Sequence, residues 1–134
     1  MEIHRIQPPE FSGTFELLAS NGWRHRIGDL GHFSALIEAS QIADVAVVGG
    51  QVIGFVRGIT DGLSNGYLSM VVVSPSHRGR GVGRRLVESA MGRSPEITWV
   101  LRAGRDGAAE FFAKLGFEAS SVAMERRRAP TTAG

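Results

Sequence analysis

The chain has 134 residues, no cysteine and a formal net charge of +2. That length suits one compact α/β domain and is too short for two, while the missing cysteines exclude disulfides, thiolate metal sites and a cysteine nucleophile. The small net charge argues against a nucleic-acid binder, and no apolar run approaches the ~18–20 residues of a membrane span.

Met1 to Pro9 reads as an extended opening strand, ended by Gln7-Pro8-Pro9. Met1-Glu2-Ile3-His4-Arg5 lacks the apolar stretch of a secretory signal, so a cytoplasmic location is expected. Glu10 to Ser20 carries Phe11, Phe15, Leu18 and Ala19 at helical spacing, and Asn21-Gly22 is its stop. Trp23-Arg24-His25-Arg26 is expected in a loop, before a second helix from Asp29 through Leu36 and Ile37 to Ser40.

Gln41 to Val48 and Gln51 to Thr60 read as strands joined by a Gly49-Gly50 hairpin turn. Gly54 inside the second strand signals a bulge or close packing. Asp61-Gly62-Leu63-Ser64-Asn65-Gly66 is a loop with two turn signals. Tyr67-Leu68-Ser69-Met70-Val71-Val72-Val73 is a buried strand, stopped by Ser74-Pro75-Ser76. Alternation places Tyr67, Ser69, Val71 and Val73 on one face.

A glycine-rich loop, Arg78-Gly79-Arg80-Gly81-Val82-Gly83-Arg84, then feeds a helix expected over Arg85 to Ala90 and ended by Met91-Gly92-Arg93-Ser94-Pro95. Ile97 to Arg102 is the next strand, parallel to Tyr67–Val73 by the crossover rule. Ala103 to Gly107 turns into a last helix, with Asp106 as its cap and Gly116 as its end. Val122 to Arg126 is expected to add a short closing strand, and Arg126 to Gly134 a frayed tail. Together these elements predict a mixed, mostly antiparallel sheet with helices on both faces, residues 1–134 forming a single domain with no repeat and no linker.

The loop has a physical use. Glycines permit positive φ and close approach of another atom, and the first N–H groups of a helix lack intrahelical partners at the positive end of its dipole. Together they form a socket for phosphate, with Arg78, Arg80 and Arg84 supplying charge around it. The spacing G-x-G-x-G is not the G-x-G-x-x-G of dinucleotide binders, and no Gly-Lys-Ser/Thr follows as in nucleotide triphosphatases.

The pattern V-x-P-x-x-R-G-x-G-x-G-x-x-L, filled by Val73, Pro75, Arg78, Gly79, Gly81, Gly83 and Leu86, resembles the acetyl-coenzyme A motif of the GNAT superfamily of N-acetyltransferases. Ala108-Ala109-Glu110-Phe111-Phe112-Ala113-Lys114-Leu115-Gly116-Phe117 looks like that family's later helix, which closes over the pantetheine arm and ends in Gly-Phe. The resemblance spans about Ile42 to Arg126. It implies a GNAT fold with splayed parallel central strands, and direct acetyl transfer from acetyl-coenzyme A to a primary amine. No metal, nucleic acid or membrane is implied. A homodimer is an expectation from the family, and the arginine bias, with Lys114 the only lysine, suggests a GC-rich bacterial source.

By the resemblance, Val71, Val72 and Val73, residues Arg78 to Arg84 including Gly79, Arg80, Gly81, Val82 and Gly83, and Phe112 hold the coenzyme, while Trp23, Arg24 and His25 face the acceptor. The usual tyrosine acid of the later helix is replaced by Phe112, and the usual asparagine at that helix's start by Arg105. The candidates for proton chemistry are Tyr67, the only tyrosine, Ser69, which would order a water, and Asp61, the nearest carboxylate in sequence. His77 sits in the phosphate loop, and Glu38 and Glu125 are not singled out. The missing tyrosine keeps open a second reading, a non-catalytic acyl-coenzyme A sensor or regulatory module. A third is a nucleotide-binding module.

Overall fold

A computed structural model describes residues 1–130. The chain forms two compact units, Met1–Arg102 and a second that begins at Ala103. The first unit contains a five-stranded sheet of β1 (Glu2–Arg5), β2 (Ile42–Val48), β3 (Gln51–Thr60), β4 (Asn65–Val73) and β5 (Thr98–Leu101), in sequence order across the sheet. β1 to β4 pair antiparallel, and β5 runs parallel to β4. The helices are α1 (Phe11–Ser20), α2 (Arg24–Ile27), α3 (Leu30–Glu38) and α4 (Val82–Met91).

The two sheet faces are told apart by what they pack against. Val45, Phe55, Met70 and Val72 share a core with Leu18 of α1, Ile27 of α2, and Phe33 and Ile37 of α3. Phe33 anchors this side, its ring edge-on to Phe15 and Phe55 at centroid distances of 6.0 Å. The opposite face receives α4. A Cβ added at Gly54 would stand 2.8 Å from Leu86 Cδ1 and 3.3 Å from Val82 Cγ1 of that helix, so close packing is one reason for glycine there. The β2–β3 ladder also slips beside it, between Ala46 and Val47, so both meanings of the Gly54 signal hold. The hairpin turn uses Gly49 at φ 56° and Gly50 at φ 78°, the paired positive φ of a type I′ turn.

Four local expectations need correction in this unit. Trp23 to Arg26 is not a loop: a single helical turn forms over Arg24–Ile27, because Ile27 is fully buried and draws the segment into the core. β4 begins at Asn65, two residues before Tyr67, because Asn65 and Gly66 already pair with Thr98 and Trp99. α4 begins at Val82 and not at Arg85, with Gly81 as its N-cap, so Gly83 and Arg84 belong to its first turn. Finally, Tyr67 and Ser69 do not share a face with Val71 and Val73. The β3–β4 register slips between Arg57 and Gly58, which pair with Met70 and Leu68 and leave Ser69 as the extra residue of a bulge. Ser69 therefore meets Arg57, whose ladder neighbours Ala43 and Met70 lie in the α1–α3 core, while Val73 pairs with Gly54 under α4.

In the second unit, α5 (Ala108–Ala113) is capped by Gly107 at φ 79°, not by Asp106. Its end is as expected: Gly116 takes φ 95° and Phe117 N–H donates to the Phe112 carbonyl at 3.1 Å. Val122 to Arg126 forms no strand. Val122 and Met124 are exposed, and without a partner strand the ladder hydrogen bonds have nothing to meet. Of the expected tail, residues 131–134 lie outside the described residues.

The opening strand carries two charged anchors. Arg5 donates to the carbonyls of Ile37 (3.0 Å), Ser40 and Gln41 (both 3.1 Å), placing a cation on the C-terminus of α3. His4 Nε2 lies 2.9 Å from Glu10 Oε2 and its Nδ1 3.0 Å from Glu2 Oε1. The Glu10 hydrogen bond leads in raising the His4 pKa; burial opposes it, and the charges of Glu10 and Glu2 add to it. Because the folded-state pKa is raised, this contribution to stability is complete below the ordinary histidine value and disappears as pH rises through the folded value. The Tm difference between the native protein and His4→Gln is therefore expected to shrink from pH 6 to pH 9, as read by calorimetry. A difference that stays constant would show that the imidazolium contributes nothing.

Candidate active site

β4 and β5 pair only from Asn65–Thr98 to Leu68–Leu101. β5 ends at Leu101, and β4 continues past it from Ser69 to Val73 with no β5 partner. The direction of the free backbone groups follows from alternation. Ser74 N–H donates to the Ile53 carbonyl of β3 at 2.7 Å. Val72 and Met70 therefore point their N–H groups to β3 as well, and Val71 and Val73 point theirs into the gap left by β5. Arg78 corroborates this geometry: its Nε donates at 3.0 Å to the Val73 carbonyl on that same open side. Of the three valines expected to serve the coenzyme, Val71 and Val73 present donors to the gap. Val72 turns its backbone to β3 and its side chain into the core.

The loop after β4 continues from this gap. Pro75–His77 is a turn of 3-10 helix, Gly79 takes φ 77° and Gly81 φ 82°. Arg85 N–H makes the first helical bond, to the Gly81 carbonyl at 3.1 Å, so the N–H groups of Val82, Gly83 and Arg84 precede the helix's own hydrogen bonding. No side chain caps this end. Glycine at 81 is required by the left-handed φ at the N-cap, where any Cβ is strained.

The three arginines of the loop have different surroundings. Arg78 spans two elements, donating to the Val73 carbonyl and, through Nη2, to Asn21 Oδ1 at 3.0 Å. Its guanidinium thus ties the loop to the end of β4 through Nε and to the end of α1 through Nη2. Arg84 Nε bonds Glu88 Oε1 at 2.7 Å, an exposed i,i+4 pair worth about 0.3–0.5 kcal/mol. Arg80 is exposed and has no hydrogen-bond or ion-pair partner among the described residues.

The proposed acceptor wall divides. Trp23 packs against the core, whereas Arg24 and His25 are exposed on α2. Among the proton-transfer candidates, Asp61 is occupied elsewhere. Its Oδ1 accepts from the N–H groups of Leu63 and Ser64 at 2.8 Å and of Asn65 at 3.1 Å, and its Oδ2 from Ser64 Oγ at 2.6 Å. These bonds, the Ser64 hydroxyl foremost, hold its pKa well below the ordinary carboxylate range, which makes it a poor proton acceptor. Asp61→Asn is expected to lower Tm while leaving the pH profile of kcat in place. A shifted profile would return Asp61 to the reaction.

Tyr67 is half-buried on β4, paired with Ile59 and Val100. Phe112, in the second unit, is buried with its ring edge-on to Phe111 and Phe117, and a phenyl ring has no proton to donate. Among the described residues no cluster of His, Asp and Glu could hold a metal ion, and no helix is long and apolar enough to cross a membrane.

One residue escaped the sequence reading. Arg57 of β3 donates from Nε to Ser40 Oγ and from Nη1 to Ser69 Oγ, both at 2.8 Å. The Ser40 hydroxyl in turn donates to the Leu36 carbonyl. The bulge that brings Ser69 to Arg57 left no mark in the alternation of residues 65–73, so nothing in the sequence pointed to the pair.

Comparison with known proteins agrees with this geometry. The family profile described as an acetyltransferase (GNAT) domain matches residues 38–119. The chain is 38% identical over 56 residues to the peptidyl-lysine N-acetyltransferase YjaB of Escherichia coli, a match covering 42% of this chain but only 38% of that protein. A GNAT-family acetyltransferase of Streptococcus pneumoniae superposes with a TM-score of 0.72 at 21% identity, over 95% of this chain and 97% of that one. An aminoglycoside 6'-N-acetyltransferase solved with coenzyme A is similar at 26% identity and a TM-score of 0.58, over 66% of this chain and 52% of that one. The glycine-rich loop, the unpaired run of β4 and the helix after it all lie within the matched stretch, and the chain belongs to the GNAT family of acetyltransferases.

Proposed function

We propose that this acetyltransferase takes its acetyl group from acetyl-coenzyme A and passes it directly to a primary amine. The observation that carries the reading is the run of β4 that continues past the end of β5, beside the glycine loop. The N–H groups of Val71 and Val73 would receive the acyl oxygen and the pantetheine amides. The α4 N-terminus, with Gly79 and Gly81, would receive the pyrophosphate, and Arg80 would add charge. Fixed donors aimed where negative charge develops are the main contribution such a site makes to acyl transfer. The coenzyme A complex of the aminoglycoside acetyltransferase supports the choice of donor. The lysine acceptor of the Escherichia coli relative supports an amine, without fixing which amine.

The chemistry needs little more. The amine nitrogen attacks the thioester carbon, the C–S bond breaks and the ammonium proton leaves to solvent. A thiol ionises near pH 8–9, so the thiolate departs tolerably without the acid that Phe112 cannot supply. Ser69 and Tyr67 are the groups near the gap able to order a water for the proton. Lacking a positioned acid typically costs ~10²–10⁴-fold, so a slow enzyme with a flat alkaline limb in kcat is expected.

The test is titration calorimetry with acetyl-coenzyme A, ATP and NAD, followed by thiol release on an amine panel. Binding of the coenzyme alone together with thiol release supports the reading. Binding without release from any amine would favour a sensor, and no binding by folded protein would remove both.

A further inference from the structure

Arg57 lies half-buried in the middle of β3, with Ala43 and Met70, its ladder neighbours, in the core. Its two protein acceptors, Ser40 Oγ and Ser69 Oγ, are both neutral hydroxyls. No carboxylate among the described residues pairs with it. A guanidinium carries five N–H donors, and these two bonds leave three without a protein acceptor. Burial pushes its pKa down. A partly desolvated cation without a counter-ion is costly, and its cost falls when a ligand brings the anion.

Its place makes the ligand specific. Ser69 directly follows Leu68, the last β4 residue paired to β5, so Arg57 meets β4 at the residue where that pairing ends. Val71, whose N–H faces the gap, lies two residues further along β4, about 7 Å away at the rise of a strand. An acceptor held at Arg57 would need its amine only a few bonds from its anionic group to reach the acyl carbon. A planar fork of N–H donors matches a carboxylate through two parallel hydrogen bonds.

Resting on the amine-acetylation reading, we propose that Arg57 is the specificity residue of this enzyme and binds the carboxylate of a small amino-acid acceptor. Ser40 and Ser69 are positioning residues. They hold the guanidinium between the turn after α3 and the β4 bulge, so that its remaining donors are directed by the fold and not by a flexible stem.

The experiment compares matched acceptors in the thiol-release assay: free amino acids, the same amino acids as carboxamides, and a lysine peptide with both ends blocked. Native protein is expected to show a KM at least tenfold lower for the acid than for the amide of its preferred pair. In Arg57→Gln that ratio should fall below two through a rise in KM for the acid, with acetyl-coenzyme A affinity and unfolding temperature like those of the native protein, which separates a binding role from a general loss of structure. Arg57→Lys should retain part of the preference. Equal use of acid and amide by the native protein would overturn the proposal and leave the transferase standing, as would preference for the lysine peptide. Persistence of the acid preference in Arg57→Gln would also overturn it. Coenzyme binding without transfer to any amine would overturn the transferase reading and this one together. Should Arg57→Gln fail to fold, the native acid-to-amide ratio and Arg57→Lys still decide.

Discussion

Gly81→Val is expected to weaken acetyl-coenzyme A binding by a hundredfold or more, about 2.7 kcal/mol. Two effects add at this position. Gly81 takes φ 82° as the N-cap of α4, a conformation that costs an L-residue about 1–2 kcal/mol and a β-branched one more. Relief of that strain would turn the first helical turn and re-aim the N–H groups of Val82, Gly83 and Arg84. The second effect is bulk. A Cβ at Gly81 meets nothing within 4 Å, so the protein itself leaves this space open, and on the proposed function a valine would fill room the pyrophosphate needs. Gly81→Ala should fall between the two proteins. Calorimetric titration of all three decides the matter, with unfolding temperatures measured alongside. Native-like affinity in a folded Gly81→Val protein would mean that the loop is a turn and not a phosphate socket.

The second large effect belongs to the sheet. Gly54→Val is expected to destabilise the protein by about 3 kcal/mol, a fall in Tm on the order of 10 °C. The new Cβ would press on Leu86 Cδ1, on Val82 Cγ1 and, at 3.3 Å, on the Val72 carbonyl oxygen. Leu86 is fully buried and cannot swing aside, and the Val72 carbonyl belongs to the strand that carries the site. Relief must come by lifting α4 from the sheet, which moves the phosphate loop with it. Coenzyme affinity should therefore fall along with Tm. Leu86→Ala in the Gly54→Val background should recover part of both, a coupling that a double-mutant cycle measures. Additive losses would show that the two positions do not press on one another.

The strands, the hairpin and the order of elements were legible because each rests on short-range chemistry. Alternating apolar residues read as strands, Gly49-Gly50 as a turn, and Asn21-Gly22 and Gly116 as helix ends. What stayed hidden depends on contacts between distant residues. The start of α4 lies three residues before Arg85 because, although Val82-Gly83-Arg84 reads as loop, burial of Val82 and Gly83 carries the helix back to its N-cap at Gly81. The one-turn helix at Arg24 exists because Ile27 finds the core, which polar neighbours in the sequence obscure. The bulge at Ser69 was invisible for a stricter reason. A slip of one residue inside a regular alternation leaves the pattern intact on both sides, and only the partner strand reveals it. That slip moved Tyr67 and Ser69 away from Val71 and Val73, and put Arg57, an unremarked arginine in a strand, at the edge of the site. Asp61 is the case where local chemistry is enough. Its position at a strand end suggested chemistry, and its acceptors turned out to be filled by its own turn.

The open run of β4 has a consequence for how such a protein changes over time. Val71 and Val73 would serve the donor through their peptide groups, and every amino acid except proline carries the same N–H. The donor half of the reaction is then inherited with the path of the strand and tolerates drift in the residues that trace it. The fold itself is shared over 95% of the chain with a protein only 21% identical to it. The acceptor half, written in side chains such as Arg57 and Ser69, has no such tolerance. New substrates can be acquired there by single replacements, while the supply of the acyl group continues undisturbed.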